Sequence, residues 1–147
     1  MGRLTKWLRL MGYDTTFFNG ASDSHLVATA LAEGRVILSR DRQIMKRRVI
    51  TTGKLKAILI RNDEPERQMR QVIGELDLDS KSRPFTLCLE CNQALVERDK
   101  GAVKDLVPPY VYQTQSQFRQ CPACHRIYWR GTHWQAMTER LEKFMKG

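Results

Sequence analysis

Cysteine is scarce in this chain of 147 residues, and none of it stands alone: all four copies fall in two Cys-x-x-Cys pairs, Cys88/Cys91 and Cys121/Cys124. Long apolar runs are missing too. Crossing a bilayer takes about 20 consecutive apolar residues, and no segment approaches that, so no membrane insertion is expected. The first ten residues, Met-Gly-Arg-Leu-Thr-Lys-Trp-Leu-Arg-Leu, interleave charges with apolar side chains, unlike the unbroken apolar core of a signal peptide. Position six is Lys6, where a myristoylation signal takes Ser or Thr. Internal repeats and low-complexity tracts are also absent. The expected compartment is therefore the reducing cytoplasm, where paired cysteines bind metal more often than they oxidise.

Positive charge, by contrast, is plentiful. Lys and Arg number 25 against 16 Asp and Glu, a formal net charge of +9, and the sequence pI is near 9.7. Such a balance favours residence near polyanions, with nucleic acid the first candidate partner. The alternative is a protein that is merely basic, since charge alone carries no specificity.

Four thiolates in two pairs fit one tetrahedral zinc ion. The 29 residues between Cys91 and Cys121 exceed the span of a compact finger, so each pair is expected on its own knuckle, with an excursion between them. That describes a zinc ribbon. A redox dithiol, a pair of structural disulfides and free core cysteines are the competing readings. A redox motif needs only one pair, and secreted disulfide scaffolds are smaller and denser in cysteine. The metal's expected role is structural, replacing a hydrophobic core too small to hold the domain. His125 and His133 are expected not to be ligands, because four cysteines already fill the tetrahedron.

Leu4, Trp7, Leu8 and Met11 recur at the spacing of one buried helical face, and Gly12 follows as a stop, which predicts a helix over residues 3–11. Residues 15–18 are β-prone and lead to an Asn-Gly turn at 19–20. Ser22 is placed to cap a helix carrying Leu26, Val27, Ala30 and Leu31, ended by Gly34. Val36-Ile37-Leu38 and Ala57-Ile58-Leu59-Ile60 read as short strands buried in a parallel sheet, with a basic helix around 43–49 between them. Met69, Val72, Ile73 and Leu76 mark another amphipathic helix. The alternation predicts an α/β three-layer sandwich with a mostly parallel sheet over residues 1–79. The polar, proline-ended stretch 80–84 reads as a linker, and residues 85–147 as the zinc ribbon plus a closing helix that packs through Trp134, Met137, Leu141 and Phe144.

In open α/β sheets the functional crevice lies beyond the carboxyl ends of the strands. Asp41 follows one strand-like run, Asp63 follows the other, and Asp23 opens the helix after residues 15–18. Three carboxylates on one rim would hold Mg²⁺ or Mn²⁺ through hard oxygen ligands, and such an ion activates water for phosphodiester cleavage. Each acid also has a bland reading: Asp23 favours a helix dipole, Asp41 caps the helix after it, and Asp63 begins an acidic first turn. Asp14, on the opposite rim, reads as structural. Arg40 and Arg42 flank Asp41, and Arg47 and Arg48 follow closely; with Arg3 and Lys6 they are the candidate RNA contacts. A solvated helix face is the alternative for Arg47 and Arg48.

Gly2-Arg-Leu-Thr-Lys-Trp-Leu-Arg-Leu-Met-Gly-Tyr-Asp14, Ser22-Asp23, Ile37-Leu-Ser-Arg-Asp41-Arg42, the two cysteine pairs and Ile127-Tyr-Trp-Arg-Gly-Thr-His133 occur in this order. In this combination the chain resembles, over essentially its whole length, the Mut-seven C-terminal RNase family, a PIN-like nuclease domain fused to a zinc ribbon. The resemblance implies a doubly wound PIN-like sheet and metal-dependent cleavage of RNA, with Asp23 and Asp41 at two of the family's acidic positions. Family members usually begin with a strand that carries a further metal-binding aspartate just before the segment matching Met1-Gly2-Arg-Leu, and the sequence starts after it. The expected function is accordingly a metal-dependent ribonuclease in which the ribbon aids RNA binding. The alternatives are a non-catalytic RNA-binding module, favoured by the missing first acid, and a zinc-dependent interaction adaptor, which leaves the charge unexplained.

Overall fold

The computed structural model describes residues 2–18, 20, 22–79 and 85–146. Two compact units are formed, one by Met1–Thr16 together with Asp77–Gly147, the other by Phe17–Leu76. The first helix, which the sequence pattern assigns to an N-terminal domain of residues 1–79, is thus grouped with the C-terminal unit. The expected linker at 80–84 lies outside the described residues, as does Asn19 of the expected Asn-Gly turn.

Helix α1, Gly2–Leu10, buries Leu4, Trp7 and Leu8 as the periodicity requires. Gly12 follows at φ 91, a left-handed conformation that glycine adopts without a Cβ clash. Residues 13–18 form no strand, contrary to the β-prone reading of 15–18. Side chains take the backbone groups a ladder would need: Thr15 N–H donates to Asn92 Oδ1 at 2.9 Å and Thr15 O accepts from Arg9 Nε at 2.9 Å.

In the unit of residues 17–76, helix α2, Asp23–Glu33, begins at Ser22, whose side chain accepts from His25 N–H. It ends at Gly34, in the left-handed conformation at φ 65. Strand β1, Ile37–Ser39, is followed by α3, Arg42–Met45, and α4, Arg48–Thr51. The single basic helix expected at 43–49 is therefore two short ones, broken where Arg47 turns extended at ψ 140. Strand β2, Ala57–Leu59, pairs parallel with β1, Ile37 opposite Ala57 and Ser39 opposite Leu59. Helix α5, Pro65–Leu76, closes the unit with Met69 and Val72 fully buried. Val27, Ala30, Ile37, Ile44 and Leu55 form one core cluster, to which α2, β1 and α3 all contribute. This is an α/β arrangement, with a two-stranded parallel sheet among the described residues.

The other unit carries an antiparallel sheet in the order β3 (Val96–Arg98), β4 (Phe118–Gln120), β5 (Ile127–Tyr128). A 3₁₀ turn at Lys100–Val103 and helix α6, Pro109–Thr114, fill the excursion between the cysteine pairs. Val103, Val107 and Phe118 form the small core of this excursion. Helix α7, Thr132–Lys146, buries Leu141 and leaves Trp134 and Met137 half-buried; the side chain of Phe144 lies outside those described. Trp134 meets Phe85 edge-on at 4.8 Å between ring centroids. Among the described residues no helix is long and apolar enough to cross a membrane.

Candidate metal centre and carboxylate rim

Both cysteine pairs sit on knuckles of the same build. Cys88 N–H donates to Gln93 O and Asn92 N–H to Cys88 O; Cys121 N–H donates to Arg126 O and His125 N–H to Cys121 O, all at 2.9 Å. Closing so tight a loop requires a left-handed residue after the second cysteine, and Asn92 (φ 62) and His125 (φ 66) fill that place. The hydrogen-bonding pattern explains why the sequence has Asn and His there rather than a branched residue. His125 therefore serves through its backbone, consistent with its reading as a non-ligand. His125→Gly is expected to keep both zinc and stability, while the β-branched His125→Val should destabilise the ribbon by about 1–3 kcal/mol, the usual cost of such strain. Thermal unfolding of the zinc-loaded variants checks this.

The knuckles bring Cys88, Cys91, Cys121 and Cys124 together, their sulfur atoms all within 4.8 Å of one another. Zn–S bonds of about 2.3 Å in a tetrahedron demand sulfurs about 3.8 Å apart, and Cys88 Sγ lies 3.7 Å from Cys124 Sγ. That is the edge of a coordination tetrahedron; a disulfide would need about 2.05 Å. The four cysteines are thus positioned to bind one metal ion, in a geometry that fits zinc. So many thiols in one cluster cannot all ionise easily without a cation. Cys91 is pushed up to about 12 by its hydrogen bond to Cys124, by burial and by the charge of Cys88. Burial opposes ionisation of Cys121, but hydrogen bonds from the N–H groups of Cys124 and Ala123 and from the Cys124 and Cys88 side chains together outweigh it and bring this thiol down to about 7.

Support around the first knuckle escaped the sequence reading. Arg9, nearly buried, donates from Nη1 to Leu89 O at 2.8 Å, and Asn92 Nδ2 donates to Asp14 Oδ1 at 2.5 Å. Lys6 pairs with Glu90 at 2.9 Å, a hydrogen bond that holds the Glu90 carboxylate below its ordinary range. Asp14 is structural, as expected, and Lys6 is engaged in an ion pair. No pattern in the sequence signals these contacts, because they join residues about eighty positions apart.

In the unit of residues 17–76 the parallel pairing sends the carboxyl ends of β1 and β2 to one edge, where Ile60 N–H donates to Ser39 O at 2.8 Å. Asp41 and Asp63 follow those ends directly. Helix α2 opens at Asp23 and shares a core cluster with β1 through Val27, Ala30 and Ile37. Asp41 and Asp63 thus lie at one edge, and among the described residues the three acids form no cage. Among the described residues the four cysteines are the one group of three or more ligating side chains close enough to share an ion. Asp41 is half-buried and caps α3, its Oδ1 accepting from Gln43 N–H at 2.8 Å. Asp63 is exposed and ion-paired with Arg40. It precedes α5, whose first turn carries Glu66 as its acid, and the neighbouring Asn62 Oδ1 accepts from Glu64 N–H at 2.9 Å. Arg42 and Arg48 are exposed and Arg47 half-buried in this unit, while Arg3 is exposed on α1.

An α/β unit with parallel strands and an acidic rim, joined in one chain to a four-cysteine ribbon, defines the class: a mixed α/β protein with a ribbon-type metal centre. No curated protein and no solved structure matches it at a significant level. A family model does, the Mut7-C RNAse domain, over residues 1–141. The chain belongs to that family, and membership points to a ribonuclease-type function with RNA as the substrate.

Proposed function

We propose that the protein is a metal-dependent ribonuclease that cleaves RNA phosphodiesters at the rim carrying Asp23 and Asp41. The observation that carries this reading is the family match across nearly the whole chain. The lack of a three-acid cage does not oppose it, because Mg²⁺ is usually held by one or two carboxylates together with substrate phosphates and water. An Mg²⁺ or Mn²⁺ ion bound there would supply Lewis acidity to the phosphate and a more acidic water. Asp23 and Asp41 would offer it hard oxygen ligands, joined by the aspartate on the strand that precedes this region in the family. Arg40 and Arg42 would orient the phosphate through paired N–H donors. Asp63 contributes less directly, by holding Arg40. In this division of labour residues 1–79 carry the chemistry and the ribbon of 85–147 assists RNA binding.

A second reading, a non-catalytic RNA-binding module, draws on the structural duties of two acids, Asp41 as a cap and Asp63 as the partner of Arg40. Cleavage of single-stranded RNA with Mn²⁺, Mg²⁺ or chelator separates the two. The first reading expects divalent-dependent cleavage that chelator stops; inert protein with every ion favours the second.

Both readings share an electrostatic grip on RNA. Log affinity should fall linearly with log salt, with a slope of about −0.7 per phosphate contacted on a single strand. Reversing both Arg47 and Arg48 to Glu should therefore make the slope shallower by about 1.4. An unchanged slope in fluorescence anisotropy titrations would assign the two arginines to an idle solvated face.

A further inference from the structure

We propose that Tyr128 is a working part of the metal centre: its hydroxyl donates a hydrogen bond to the Cys88 thiolate, tuning the charge on that sulfur and the affinity for the metal. The direction of the bond follows from its surroundings. Tyr128 Oη lies 3.1 Å from Cys88 Sγ and 3.2 Å from Leu89 N. A backbone N–H can only donate, so the hydroxyl accepts from Leu89 and turns its single proton to the sulfur.

The two knuckles explain why this proton is used. Cys121 Sγ accepts from two backbone amides, those of Ala123 and Cys124, each at 3.4 Å. Cys88 Sγ accepts from the amide of Cys91 at 3.4 Å, and the tyrosine hydroxyl supplies the second donor that Ala123 supplies in the other knuckle. Cys88 is fully buried, so water cannot compensate its negative charge, and the charge must be met by donors from the protein. The donor is also held in place. Tyr128 ends strand β5, paired with Arg119 of β4, so the sheet of one knuckle steadies a thiolate of the other. Groups that hydrogen-bond metal ligands commonly change affinity by about 10–100-fold when removed.

This inference goes beyond the ribonuclease reading and rests only on the four cysteines binding a metal. The test uses the full chain loaded with Co²⁺, whose sulfur-to-metal charge-transfer band reports the electron density on the thiolates. Tyr128→Phe keeps the ring and removes the proton. It should move the band to lower energy and weaken zinc about 10–100-fold in chelator competition. Placing 3-fluorotyrosine, a stronger donor, at position 128 should move the band to higher energy, and it serves as the decisive variant if Tyr128→Phe does not fold. Tyr128→Phe also strands the Leu89 N–H, so weaker affinity with an unmoved band would reveal a purely structural role and overturn the proposal. An unmoved band in both variants would overturn it equally. If the wild-type chain shows no tetrahedral thiolate spectrum, the four-cysteine centre itself fails and the proposal with it; the ribonuclease reading would be untouched.

Discussion

Replacing Cys121 by serine is expected to cost the ribbon its metal and unfold the unit around it, the largest loss of stability that a single change in this chain should produce. Cys121 is fully buried and its sulfur is met by two amides, so a serine there presents a poorer ligand in a place shaped for a thiolate. Structural zinc is worth about 10–16 kcal/mol in small ribbons and fingers. The core of the excursion between the cysteine pairs is small, centred on Val103, Val107 and Phe118. The damage should spread along the chain. Arg9, Asn92 and Lys6 tie the first knuckle to α1 and to residues 13–15, so losing the metal should also raise hydrogen exchange in α1. Elemental analysis should find about one zinc per chain in the wild type and none in Cys121→Ser, with an early, broad loss of circular dichroism. A metal-free variant that unfolds at the wild-type temperature would contradict the structural role.

The second large effect concerns Asp41. Asp41→Asn should abolish RNA cleavage while leaving RNA affinity unchanged or slightly raised. Asparagine caps helices as well as aspartate does, so the bond from Gln43 N–H survives and α3 stays formed; Asp41→Ala would confuse lost chemistry with a lost cap worth about 1 kcal/mol. The charge removed lies between Arg40 and Arg42 in the sequence, and taking a negative charge from such a site cannot weaken its attraction for phosphate. Asp63→Asn is a useful control. Asp63 is an exposed partner of Arg40, and surface ion pairs contribute about 0–1 kcal/mol, so the fold should not notice its loss.

The elements best read from the sequence were those with strong local signals. The face of α1, the Ser22 cap, the Gly34 stop and the two parallel strands all obey periodicity or backbone rules that operate within a few residues. The grouping of the cysteines was legible for a similar reason, since a tetrahedral ion dictates two close pairs. What escaped the reading depends on residues far apart in the chain. Residues 15–18 have the composition of a strand, but Thr15 gives its backbone groups to Asn92 and Arg9. The helix expected at 43–49 breaks at Arg47, a kink that charge and periodicity do not announce. Tyr128 belongs to the motif Ile127-Tyr-Trp-Arg-Gly-Thr-His133, but only the fold sets it beside Cys88. The positions of Asp41 and Asp63 were legible, because parallel strands fix the edge that both acids follow; their side-chain partners were not.

The ribonuclease reading is tested most directly by cleavage of labelled single-stranded RNA in Mn²⁺ by the protein, compared with its Asp41→Asn counterpart at equal RNA occupancy. The account predicts cleavage that chelator stops and that Asp41→Asn lacks. Cleavage by Asp41→Asn as fast as its parent's, or a parent protein inert with every divalent ion, would contradict it.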